Sequence, residues 1–77
     1  MVHHVTRITV DAGAPRAAEL GRALAQLGFT VHAGRRRLVG ESSEVEAHDA
    51  KRRLRALGFA DREYRVFLEY VRRWGVL

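Results

Sequence analysis

The stretch from Ala17 to Phe29 occurs twice in this chain, the second time thirty residues on. Ala17, Arg22, Leu24, Leu27, Gly28 and Phe29 fall on Ala47, Arg52, Leu54, Leu57, Gly58 and Phe59. Glu19 falls on Asp49, and upstream Arg7 meets Arg37, Ile8 meets Leu38 and Asp11 meets Glu41. Each copy reads as a short strand, a helix ending in Leu-Gly-Phe, and a following strand. Two copies are too few for a solenoid, whose units cover each other's faces only from about three repeats upward. One domain over residues 1–77 with an internal pseudo-two-fold repeat satisfies the pattern, since this length holds a single core.

In chain order, β-branched residues at 2, 5, 6, 8, 9 and 10 predict a first strand. Alternation then sends Ile8 and Val10 to the core, and Val5, Arg7 and Thr9 to the other face. Residues 11–14 form a turn, and Pro15 suits the first helical position, where its missing N–H is no loss. Leu20, Leu24 and Leu27, with Ala17 and Ala23, make a helical apolar stripe. Gly28 is expected to end that helix in a left-handed conformation, with Phe29 folding back over it. Residues 30–33 and 37–41 predict a hairpin whose turn takes positive φ at Gly34. Ser43 and Glu46 read as a capping box for the second helix. Ala47, Ala50, Leu54 and Leu57 share one side of that helix, while Glu44, His48, Lys51, Arg52 and Arg55 lie opposite.

Residues 61–75 fit two periods. As a helix, Asp61 would cap it, Gly75 would end it, and Tyr64, Phe67, Leu68, Val71 and Trp74 would share a face. As a strand, Tyr64, Val66, Leu68 and Tyr70 alternate with Arg65, Phe67 and Glu69. The repeat favours the strand, over 62–71, because the first Leu-Gly-Phe also precedes one. The expected order is βαββαβ, an α+β fold of ferredoxin-like type with a four-stranded antiparallel sheet and both helices on one face. The alternative is βαββα with a third, C-terminal helix.

A net charge of +5 points to a polyanionic partner, since basic surfaces gain affinity for phosphates by releasing counterions. Thirteen of the 14 basic residues are Arg, a skew that a GC-rich genome also produces. No cysteine is present, so there is neither a disulfide nor a thiolate metal site. No apolar run approaches the roughly 18 residues of a membrane span. The first residues lack the apolar core of a secretory signal, and a cytoplasmic location is the expectation.

Enzymatic chemistry finds no foothold, and no cofactor or metal is expected. His3 and His4 point to opposite faces of a strand, and His3 with His32 would make only a two-ligand site. Ser42 and Ser43 serve better as helix caps than as nucleophiles. The loop 11–15 has one Gly and no Lys-Ser/Thr, so it is not a phosphate-binding loop. The arginine-and-asparagine chemistry that acylphosphatases mount on a ferredoxin-like fold is excluded, because the chain has no asparagine.

Binding is therefore the expected function. The open sheet face would collect Val5, Arg7, Thr30, His32, Arg37, Val39, Arg65 and Phe67, with Arg35 and Arg36 in the hairpin turn. Arg7 and Arg37 would sit side by side on the central strands. Arg7, Arg35, Arg36, Arg37 and Arg65 with Phe67 make a nucleic-acid surface: guanidiniums for phosphates, one ring for a base. RNA-recognition domains carry aromatics where this chain has valine and arginine, which speaks against sequence-specific stacking. A protein–protein or assembly module is the competing class, as a homodimer or with another partner, through Phe67, Tyr70, Val71 and Trp74. Finally, Arg37-Leu38-Val39-Gly40 followed by a Ser-led helix at Ser43 resembles the third strand and second helix of the sporulation-related repeat. That family has the same fold and an internal repeat ending in Leu-x-x-x-Gly. The resemblance implies a glycan-binding domain, which at the cell wall would need an export signal.

Overall fold

The computed structural model describes the backbone of residues 2–72 and the side chains of residues 4–68. Its elements run β1 (Val2–Asp11), α1 (Ala17–Leu27), β2 (Thr30–Ala33), β3 (Arg37–Ser42), α2 (Ala47–Ala56) and β4 (Arg65–Arg72). The protein is α+β, with one four-stranded antiparallel sheet in the order β2-β3-β1-β4 and two helices. The ambiguous C-terminal segment is a strand. It begins at Arg65 because a single 3-10 turn, Asp61–Glu63, comes first, and there the Glu63 carboxylate accepts the Ala60 N–H at 2.7 Å. No described helix is long and apolar enough to cross a membrane.

One apolar cluster joins sheet and helices. Ile8, Leu20, Leu24, Ala50 and Leu54 are fully buried, with Val10, Phe29, Phe59 and Tyr64 nearly so. Helix α1 reaches the sheet through a notch at Gly40, which lies opposite Ile8 on β3. A Cβ there would come within 3.2 Å of Leu24 Cδ1 and 3.4 Å of Phe29 Cβ, so only a residue without one lets the helix settle this deeply.

The repeat is reproduced at the glycines that end the helices. Gly28 and Gly58 take φ of 105° and 95°, and no other described residue has positive φ. The Phe29 N–H donates to the Leu24 carbonyl at 3.0 Å, and the Phe59 N–H to the Leu54 carbonyl at 3.0 Å. These are paired left-handed caps. Symmetry fails one residue earlier, where Leu27 is half-buried and Leu57 is 53% exposed.

Three local expectations are corrected. Gly34 does not adopt positive φ; a Cβ there would meet the Arg37 carbonyl oxygen at 3.0 Å, so it is closeness to backbone that suits glycine. The Ser43–Glu46 capping box does not form, because β3 runs on to Ser42 and α2 starts only at Ala47 with Glu46 extended before it. Ser42 Oγ instead accepts the N–H groups of Glu44 (3.1 Å) and Val45 (3.0 Å), turning the chain toward the helix. Pro15 lies in the turn before α1 rather than at its first position, and Ala17 opens the helix by donating to the Ala14 carbonyl at 3.1 Å.

Thr6 is the one fully buried polar residue among the described positions, and its Oγ1 has no hydrogen-bond partner. An unsatisfied buried hydroxyl costs about 1–3 kcal/mol, and valine has nearly the same shape without that cost. Thr6→Val is expected to raise the melting temperature by several degrees, at about 4–8 °C per kcal/mol for a domain of this size. Calorimetry showing a lowered midpoint would mean the hydroxyl is bonded in solution.

Candidate functional site

The sheet face turned away from the helices is ordered by the strand register. Thr30, Glu41, Arg7 and Phe67 form one cross-strand row; His32, Val39, Thr9 and Arg65 form the next; Asp11 and Arg37 pair at the end. Val5 continues the face along β1. The turn after β2 carries Arg35 and Arg36, both exposed, and the Arg36 carbonyl accepts the Ala12 N–H at 2.9 Å. That bond ties the hairpin tip to the end of β1.

Arg7 and Arg37 do not sit side by side. Antiparallel strands run in opposite directions, so repeat-equivalent residues coincide at one place only, Thr9 opposite Val39. On either side of it the pairs mirror each other: Arg7 faces Glu41, and Arg37 faces Asp11. Arg7 donates to Glu41 Oε2 from both Nε (2.9 Å) and Nη2 (2.7 Å). Arg37 makes no ion pair among the described residues. Aspartate is one methylene shorter than glutamate, and the mirror pair is left open.

A cleft of about 190 Å³ lies at this open pair, lined by Thr9, Asp11, Arg37, Arg62, Glu63, Tyr64 and Arg65. Glu63 is engaged there, by the Ala60 N–H and by Arg16 Nη1 at 3.4 Å. Burial, followed by the nearby Asp61 carboxylate, pushes the Tyr64 hydroxyl above the ordinary tyrosine range. The opposite end of the face has the other sign: a wider depression of about 540 Å³ is lined by Val5, Thr30, His32, Glu41 and Glu44, among others.

Elsewhere the basic residues are largely matched. On α2, Arg52 and Arg53 both bind Asp49, and Arg55 reaches Asp61 at 2.9 Å. The hydrogen bond from Arg52 holds the Asp49 carboxyl below the usual carboxylate range, and that from Arg55 does the same for Asp61. Arg35, Arg36, Arg37, Arg62 and Arg65, by contrast, have no side-chain partner among the described residues. Unmatched positive charge therefore gathers where the hairpin, the end of β1 and the start of β4 meet.

Arg16 had no visible role in the sequence. It stands over the Phe59 ring at 4.2 Å from its centre, donates to the Gly58 carbonyl at 3.2 Å and to Glu63, and so bolts the start of α1 to the cap of α2. A lone arginine beside a proline carries no local signal of such a contact.

Of the residues expected at a protein interface, Phe67 is 44% exposed on the open face. Tyr70 and Val71 belong to β4, but their side chains, and all of Trp74, lie outside the described residues. Compared with known protein families, curated proteins and solved structures, the chain matches none of them.

Proposed function

We propose that this chain is a small, non-enzymatic binding domain of ferredoxin-like βαββαβ plan that holds nucleic acid at the arginine end of its open sheet face. The strand order β2-β3-β1-β4, with its paired caps, supports the topological part of that reading. One observation carries the functional part: among the described residues Arg35, Arg36, Arg37 and Arg65 have no side-chain partner at one end of the sheet, while the arginines of α2 are satisfied within their own helix and the following turn. Unpaired guanidiniums bind phosphates with charge-assisted and often bidentate hydrogen bonds. Phe67 is the aromatic available on that face to stack a base. With valine and threonine at the centre of the sheet, binding is led by the backbone and tolerant of sequence.

A labelled single-stranded oligonucleotide titrated at several salt concentrations tests this. Three or four phosphate contacts predict a fall of log affinity with log salt of slope roughly −2 to −3, at about −0.7 per contact. Arg35→Ala with Arg36→Ala is expected to flatten the slope by about one to one and a half. Absence of binding at low salt ends the proposal. An assembly module is the second reading, favoured by the edge strand β4, where Phe67 and Leu68 stay 44% and 47% exposed.

A further inference from the structure

We infer that the cleft bounded by Arg37, Arg62 and Arg65 is the seat of a phosphate monoester, the terminal phosphate of a bound strand. This rests on the nucleic-acid reading and narrows it to one group. The argument begins from the mirrored pairs about Thr9 and Val39. In one, Arg7 is closed onto Glu41; in the other, Arg37 faces an aspartate that does not reach it. The open pair is the one that borders the cleft, and Arg62 and Arg65 converge on it from the 3-10 turn and from β4.

Charge selects the ligand. Three guanidiniums line the cleft together with two carboxylates, of which Glu63 is already held by Arg16 and the Ala60 N–H. Asp11 offsets one of the three and leaves about two positive charges. A phosphate monoester carries roughly −1.5 to −2 at neutral pH, a match, whereas each diester of a strand interior carries one. Thr9, on the same lining, brings a hydroxyl that can donate to an oxygen. A volume of about 190 Å³ admits one phosphate and part of its sugar, not a duplex. A strand whose end is seated there can lay its following phosphates past Arg35 and Arg36, which lie on the hairpin beside Arg37.

The test compares one fluorescein-labelled thymidylate oligomer in three forms: hydroxyl at both ends, phosphate at the 5′ end, or phosphate at the 3′ end. Anisotropy is expected to show one phosphorylated form binding about tenfold tighter than the hydroxyl form, and Arg62→Gln is expected to cancel that preference. Equal binding of all three overturns the cleft assignment and leaves nucleic-acid binding standing. If none binds, the nucleic-acid reading fails, and inorganic phosphate titrated into ¹⁵N-labelled protein decides the cleft separately. Saturable shifts at the amides of Thr9, Arg37 and Arg65 support it; amides that stay put overturn it.

Discussion

Leu24→Ala and Leu54→Ala are each expected to remove about 2–5 kcal/mol of stability. Both side chains are fully buried, and the two leucines are repeat-equivalents. A chain of 77 residues buries only about 60% of its unfolded surface, so its whole stability sits near the low end of the 5–15 kcal/mol usual for domains. Either substitution should leave a substantial unfolded population at room temperature, visible as lost ellipticity and a urea midpoint near zero. Leu57→Ala is the control: that side chain is 53% exposed and should cost less than about 0.5 kcal/mol. The Gly40 notch gives a sharper check. Gly40→Ala alone is expected to destabilise, because the new methyl would stand 3.2 Å from Leu24 Cδ1. In the Leu24→Ala background that atom is gone and the methyl fills part of the cavity, so the double mutant should be more stable than the two losses added together. Strict additivity would mean that α1 does not rest on β3 at this point.

The sequence revealed most wherever a contact is local and showed least wherever it spans the fold. Gly28 and Gly58 were legible because a left-handed cap needs nothing but a helix before it and a residue without Cβ. The inward positions Ile8 and Val10 were legible because a strand side chain alternates with period two. The start of α2 was misplaced for a similar local reason. Two adjacent serines offered two candidate caps, and only the extra residue of β3 decides that Ser42 is the one turned inward. The site was legible as a set of residues and illegible as an arrangement. Asp11 and Glu41 were visible as equivalents, but their partners depend on the antiparallel register, which exchanges Arg7 and Arg37 between them. Arg62 gave no signal because the 3-10 turn that aims it is an insertion in the second repeat with no counterpart after Phe29. Arg16 gave none because the contacts that tie it to the cap of α2 and to Glu63 lie more than forty residues away.

Gly28→Val and Gly58→Val should each lower the melting temperature by several degrees, and by similar amounts. The two glycines hold φ of 105° and 95°, a conformation that costs a residue with a Cβ about 1–2 kcal/mol. Space is not the issue. A Cβ at Gly58 would meet nothing within 4 Å, and one at Gly28 would meet Val45 Cγ2 at 3.7 Å, an ordinary contact. The cost of the added Cβ is therefore backbone strain, and at about 4–8 °C per kcal/mol it is a large share of a small domain's stability. A chemically synthesised chain isolates that term. D-Alanine at either position carries its methyl on the other side of Cα and prefers positive φ, so it should match glycine or exceed it wherever that side is open, as a restricted residue that fits the native conformation usually does. The caps differ in one respect: Arg16 holds the Gly58 carbonyl at 3.2 Å, and among the described residues nothing equivalent holds the Gly28 carbonyl. Arg16→Ala combined with Gly58→Val should accordingly cost less than the sum of their separate losses if that bond resists relaxation of the strained cap, because without it the cap is free to relax. Should Gly58→Val prove harmless while Gly28→Val unfolds the chain, the two caps do not share one task, and the thirty-residue repeat is a likeness of sequence without a common structural cause.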